Sequence, residues 1–438
     1  MAKTTDSGLR HQVIYQIFTR NYKDGSFRAV QEDLPRIQAL GADIIYLLPI
    51  QPSGKKNRKG SLGSPYAIQD YRAVDPSQGT LQDFEALCRA VHEAGMKIII
   101  DIVYNHTSPD SVLSKEHPEW FYHRPDGSFG NRVGDWWDVI DLSYADHGLW
   151  DYQIETLKQW AKYVDGFRCD VAPMVPLEFW QEARRQVEGV RPGCLWIAES
   201  VDPQFIRVNR SLGIECASDG ELYEVFDICY DYDVYGRFLS AAKGDGCLAD
   251  YIEAVNLQEE IYPNNYVKLR CLENHDRPRA ASLFPNGAAL RNWTAWNYFQ
   301  KGAVMLYAGE EFGVSHHPTL FDQDTVNFDT GTDLSPFLAK LKTIKQKPIF
   351  RDASFFVSLA GVRRDVIVAK LLGNKGSACE NTMALGIFAC DGSPQSLSVD
   401  LPDGLYQNEI SGEAVDVYEH TMRYDGEPVI LTDIPVNS

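Results

Sequence analysis

The sequence predicts an α/β protein built from parallel strand–helix units, followed by a separate antiparallel β domain. Three observations carry this expectation. Short apolar runs alternate with amphipathic helical stretches up to about residue 355. One aromatic, Gly- and Asp-rich stretch, 107–146, is too long to be a single helix. Beyond 355 the helical period gives way to short strands separated by turn residues.

Taken in order, Val13–Phe18, Ile44–Leu48, Lys97–Val103, Gly166–Val171, Leu195–Glu199, Phe226–Tyr230, Val267–Leu272 and Ala303–Tyr307 read as strands. Before the third, Phe84, Leu87, Cys88 and Val91 recur at helical spacing, with Thr80 and Asp83 as a cap and Gly95 as a stop. Leu157, Trp160, Ala161 and Val164 repeat the pattern before the fourth. Strands separated by helices pair in parallel, and both a closed barrel and an open sheet satisfy that pattern. Three parts follow: a strand–helix domain over 1–106 and 147–355, an inserted subdomain over 107–146, and a β domain over 356–438. In the last, Val366–Leu371, Met383–Ala389, Ser396–Leu401 and Pro428–Leu431 read as strands.

The net charge of −19 disfavours nucleic acid and anionic membrane as partners, since both would repel the chain. No apolar run reaches membrane-span length, and Met1–Arg10, with Lys3, has no apolar core of a leader. The expected location is cytoplasmic, or secreted if a leader has been trimmed. Nine cysteines without paired spacing suggest buried, reduced thiols.

Four segments place polar groups at the C-terminal ends of strands, where α/β barrels keep their chemistry. They are Asp101-Ile-Val-Tyr-Asn105-His106, Gly166-Phe-Arg168-Cys-Asp170, Trp196-Ile-Ala-Glu199 and Glu273-Asn-His275-Asp276. Each alone is an ordinary strand end or capped loop. Alternation puts Arg168 and Asp170 on one face, where a buried arginine would keep the carboxylate ionised. Glu199 closes an apolar run, a setting that suits a general acid. Cleaving a glycosidic bond requires two carboxyl groups about that bond.

In order and spacing, these segments resemble the signature regions of the α-amylase family, glycoside hydrolase family 13. The resemblance extends to the insert and the C-terminal β domain. It implies a (β/α)8 TIM barrel with a short insert after the third strand and a C-terminal antiparallel β-sandwich. It also implies retaining hydrolysis of α-1,4-glucosidic bonds in α-glucans or maltooligosaccharides. Asp170 would be the nucleophile, Glu199 the acid/base and Asp276 the third carboxylate, which binds ring hydroxyls. Tyr66 would be the aromatic platform, Arg168 would orient Asp170, and His106 and His275 would hydrogen-bond the sugar, with Asp101 supporting Arg168. Trp136 and Trp137 would either line a neighbouring subsite or anchor the insert. No cofactor is expected. The family's structural calcium is the alternative, with Asn105 and Asp141 as matching ligands, but Met174 stands where calcium-binding relatives often carry His. Rival readings are a transglycosylase or exo-acting α-glucosidase on the same site and, remotely, a non-catalytic sugar-binding protein.

Overall fold

The computed structural model describes residues 4–133 and 136–436, so Lys3 and, in the insert, Gly134 and Asp135 lie outside the described residues. In chain order the first strands are β1 (Val13–Ile17), β2 (Ile44–Leu47), β3 (Lys97–Ile102), β4 (His106–Thr107), β5 (Ile140–Asp141), β6 (Gly166–Cys169), β7 (Leu195–Ala198), β8 (Ile228–Tyr230), β9 (Lys268–Arg270) and β10 (Ala303–Tyr307). All but β4 and β5 join in a closed barrel, in the order β1-β10-β9-β8-β7-β6-β3-β2, which removes the open sheet from consideration. Every residue of these eight strands except Lys97 is buried. That is the pattern of strands with one face in the barrel interior and the other under helices.

Local signals explain the helices. Leu81–Glu93 starts with a capping box in which Asp83 N–H donates to Thr80 Oγ1 at 3.2 Å and Thr80 N–H donates to Asp83 Oδ2 at 2.8 Å. Its stripe of Phe84, Leu87, Cys88 and Val91 is buried, and Gly95 leaves the helix with φ +74°. The helix His147–Trp160 buries Leu157 and Trp160 in the same way.

The insert is pinned by β4 and β5, which pair antiparallel with His106 opposite Asp141. Its other regular elements are the short helix Val112–Glu116 and a 3-10 turn at Pro118–Trp120.

Eight further strands follow: β11 (Ala353–Ala360), β12 (Val366–Gly373), β13 (Thr382–Ala389), β14 (Gln395–Ser398), β15 (Gly404–Gln407), β16 (Ala414–Tyr418), β17 (Thr421–Tyr424) and β18 (Val429–Pro435). They form two four-stranded antiparallel sheets, β11-β12-β13-β18 and β14-β17-β16-β15. Leu385, Ile387 and Leu431 of one sheet and Leu397, Val417 and Met422 of the other share one core, which makes a sandwich.

The chain divides into two compact units. One comprises Met1–Thr5, Ile14–Asp233 and His317–Asn327, and the other Asp6–Val13, Val234–His316 and Phe328–Ser438. None of the nine cysteines is in a disulfide, and seven are buried. Among the described residues no helix is long and apolar enough to cross a membrane.

Candidate active site

Strand register brings the first charges together. β3 and β6 pair with Asp101 opposite Arg168, so both side chains leave the same face of the sheet. Arg168 Nη1 donates to Asp101 Oδ1 at 2.8 Å and Oδ2 at 3.0 Å, and to Asp170 Oδ1 at 3.0 Å. Its other terminal nitrogen, Nη2, pairs with Glu199 Oε1 at 2.7 Å. One guanidinium, 1 % exposed at the side chain, therefore serves three carboxylates. Burial alone would lower the Arg168 pKa, but Asp101 and Glu199 more than offset it, and the group is held well above its ordinary range. Phe167 faces the other way and packs on Trp196, with ring centroids 5.5 Å apart.

Two tyrosines close the support. Tyr46 O–H donates to Asp101 Oδ2 at 2.7 Å and Tyr66 O–H to the same oxygen at 3.0 Å. The Arg168 guanidinium lies 5.8 Å from the Tyr66 ring centroid and 5.4 Å from that of Tyr230. His106 Nε2 is 3.9 Å from Asp170 Oδ2, and its Nδ1 is 3.2 Å from the Asn105 side-chain amide. Burial pulls His106 down to about 4, against Asp138 and with Lys59, so the ring is neutral at neutral pH.

Val171, directly after Asp170, has φ 41° and ψ 44°. A β-branched residue in the left-handed region is an outlier that costs about 1–2 kcal/mol and persists only where its surroundings enforce it. Here its N–H donates to Glu199 Oε2 at 2.8 Å, and its side chain roots an apolar cluster with Met174 and Cys216.

The segment after β9, in the second unit, is organised by its own ion pair. Glu273 Oε1 meets Arg279 Nη1 at 2.5 Å, and Glu273 Oε2 accepts the Ala280 N–H at 2.6 Å. Arg279 also donates to Ala308 O at 3.0 Å and covers the Tyr307 ring at 4.2 Å. Glu310 is buried nearby, and burial followed by the Glu273 charge pushes its carboxyl well up. On this frame His275 Nε2 lies 3.1 Å from Asp276 Oδ2. His275 is buried, whereas the Asp276 side chain is 43 % exposed.

The structure thus brings Tyr66, His106, Arg168, Asp170 and Glu199 into one cluster and pairs His275 with Asp276. Trp136 is half-buried, 5.4 Å from the His106 ring, while Trp137 is 57 % exposed beside Lys59, which also pairs with Asp138 at 2.8 Å. Sequence reasoning missed Tyr46, the Val171 backbone and the Glu273–Arg279 pair. Only Tyr46 left a signal, a hydroxyl in an otherwise apolar strand.

Of the two calcium candidates, Asp141 is met by a guanidinium. Asp141 Oδ2 accepts the Arg132 N–H at 2.7 Å, and Arg132 Nε lies 3.6 Å from the same oxygen, so a guanidinium supplies the positive charge there. Asp141 Oδ1 is buried without a partner, yet calcium takes six to eight oxygens. Among the described residues no group of three or more His, Cys, Asp or Glu could hold a metal.

Residues 12–353 match the family described as alpha amylase, catalytic domain, and residues 362–431 match the bacterial alpha amylase C-terminal domain. An alpha-amylase from Lactobacillus plantarum has 45 % identity and a TM-score of 0.93, covering 98 % of this chain and 100 % of its own. A noncanonic maltogenic alpha-amylase from Thermotoga neapolitana has 31 % identity and a TM-score of 0.85, covering 98 % and 99 %. Among curated proteins, an alpha-1,4-glucan:maltose-1-phosphate maltosyltransferase of Streptomyces coelicolor is 32 % identical over 74 % of this chain and 50 % of its own. The corresponding Myxococcus xanthus enzyme is 34 % identical over 56 % and 38 %. The chain spans half or less of the length of these curated relatives. By catalytic domain, C-terminal domain and fold together, the chain belongs to the α-amylase family, glycoside hydrolase family 13.

Proposed function

We propose that this protein is a retaining glycosidase that cleaves α-1,4-glucosidic bonds of maltooligosaccharides. The observation that carries the reading is the Arg168 guanidinium, which holds Asp170 on one terminal nitrogen and Glu199 on the other. Two carboxyls sharing one guanidinium suit the roughly 5–5.5 Å spacing of retaining pairs better than the roughly 6.5–9.5 Å of inverting pairs.

In this mechanism Asp170 attacks the anomeric carbon while Glu199 protonates the departing glycosidic oxygen. The positive charge that develops on the sugar faces Asp170 across from neutral His106. Water then attacks the glycosyl-enzyme, Glu199 takes its proton, and Asp170 leaves as the carboxylate. Asp276 and His275 would grip sugar hydroxyls, and Tyr66 would be an aromatic platform under a sugar ring. Arg132 at Asp141 supports a calcium-independent insert. Free thiols suit a reducing compartment, and the cytoplasm is the proposed location.

The names of the maltosyltransferase relatives favour a second reading, discharge onto a sugar instead of water. A proton-NMR time course with maltotetraose tests the primary reading. Shorter products appearing first as the α-anomer are expected. Products appearing first as the β-anomer would overturn the double displacement.

A further inference from the structure

In this acidic chain, cations gather at one place. Lys55, Lys56, Arg58 and Lys59 fill four of five consecutive positions in the loop between β2 and Tyr66, against a net charge of −19 for the whole. The loop stands at the mouth of the site. Lys59 Nζ pairs with Asp138 Oδ1 at 2.8 Å and lies 5.4 Å from the Trp137 ring centroid and 5.7 Å from that of Phe321. The charges of Lys59 and Asp138 both reach His106, whose Nε2 is 3.9 Å from Asp170 Oδ2. The loop therefore borders the sugar whose anomeric carbon Asp170 would attack, and the glucan beyond it on the non-reducing side.

Its backbone is anchored. Gly63 N–H donates to Lys59 O at 3.1 Å and Leu62 N–H to Phe321 O at 2.9 Å. Ser61 N–H and Oγ both donate to Asp322 Oδ1 at 2.7 Å. Gly60 has φ +60°, and a Cβ there would come within 2.6 Å of Phe321 O, so glycine is what lets the loop lie this close. The neighbouring carboxylates are engaged in the same anchoring: Asp138 holds Lys59, Asp322 holds Ser61, and Asp110 accepts the Lys55 N–H at 3.1 Å. Lys55, Lys56 and Arg58 are exposed, and among the described residues none of their side chains forms an ion pair. Like charges fixed side by side repel one another, and a bound anion would relieve them.

We infer that Lys55, Lys56 and Arg58 receive a phosphate monoester carried by the glucan on the non-reducing side of the cleaved bond, so that the enzyme prefers phosphorylated maltooligosaccharides to neutral ones. The inference rests on the proposed glycosidase reading and narrows its substrate class. A phosphate monoester carries a charge of about −1.5 to −2 at neutral pH. The chain as a whole repels such a group, and the basic loop reverses the field locally, at the mouth through which the substrate enters. Arg58 offers a planar fork that matches two phosphate oxygens, and the two lysines act as point charges beside it. Exposed ion pairs are individually weak, so three together are expected to raise kcat/KM about tenfold.

The test uses the full chain with two substrates, maltotetraose and maltotetraose bearing a phosphate on the primary hydroxyl of its non-reducing-end glucose. The quantity read is the ratio of their kcat/KM values. In low salt the phosphorylated substrate is expected to be favoured about tenfold. The ratio is expected to fall towards one as ionic strength rises from about 0.01 M to about 1 M and the screening length shrinks from about 30 Å to about 3 Å. Lys55→Gln, Lys56→Gln and Arg58→Gln together are expected to bring the ratio close to one in low salt, and the salt series on the wild type reads the same interaction without a variant that has to fold. A wild-type ratio of one or less in low salt, a ratio indifferent to salt, or an unchanged ratio in the folded triple variant would overturn the phosphate site, and cleavage of neutral maltotetraose would leave the glycosidase reading standing. No cleavage of either substrate would overturn that reading and the phosphate site with it.

Discussion

Replacing Arg168 by lysine separates charge from geometry at the centre of the site. Arg168 uses Nη1 for Asp101 and Asp170 and Nη2 for Glu199, whereas a lysine has a single ammonium. The positive charge survives, but one end of the fork loses its partner. A hydrogen bond to a charged group contributes about 1.5–3 kcal/mol. If the lost contact orients a reacting carboxyl, kcat falls by about 10- to 150-fold. Arg168→Ala would strand three buried carboxylates, and breaking a buried ion pair costs about 3–5 kcal/mol. The lysine variant should therefore melt close to the wild type while the alanine variant does not. Initial rates on maltotetraose and thermal melts followed by circular dichroism separate the two effects. A lysine variant with kcat within twofold of the wild type would refute the argument that the fork orients the pair.

Other outcomes follow from the same geometry. Glu199→Gln is expected to lower kcat by about 10²- to 10⁴-fold, the usual worth of a general acid/base, while calorimetry still detects maltooligosaccharide binding; loss of binding as well would indicate a structural role. Val171→Gly relieves about 1–2 kcal/mol of left-handed strain and removes about 2–3 kcal/mol of packing. A drop in Tm of a few degrees is expected, and a stabilised variant would contradict that balance. Chelation with EDTA should leave Tm unchanged, and a fall that added calcium reverses would show that the insert does hold the ion. Burial, together with Lys345, Lys342 and Arg351, pulls His11 from 6.5 to about 4, so the unfolded chain takes up a proton there before the folded one does. Stability is thus lost as pH falls from about 6.5 towards 4. His11→Gln should flatten the dependence of Tm on pH in that window, and an unaltered slope would remove His11 as its source.

The barrel was legible because its strands are buried on both faces. Runs such as Lys97–Ile102 are nearly continuous in apolar residues, and their polar ends mark the chemistry. The short strands Gly404–Gln407, Ala414–Tyr418 and Thr421–Tyr424 were not, because their outer faces carry polar or isolated apolar residues and each has five residues or fewer. Ala353–Ala360 was obscured because the expected domain boundary cut through it. Within the site, Asp170 and Glu199 stood out as carboxylates closing apolar runs. Tyr46 did not, since a tyrosine in an apolar strand reads as core until Asp101 is seen beside it. Val171 could not be anticipated at all, because a β-branched residue argues against the backbone it adopts.

The buried carboxyls after β9 and β10 give folding a chemical stoichiometry. Glu273 and Glu310 share the neighbourhood of a single arginine, Arg279, and burial raises both above the ordinary glutamate range. Glu310 thus keeps its proton at pH values where an unfolded chain has released it. Over the pH range between the unfolded and the folded titration, folding is accordingly a proton-consuming reaction at this locus, and rising pH opposes it by mass action. The measured enthalpy of folding will therefore carry a contribution from whichever buffer supplies that proton.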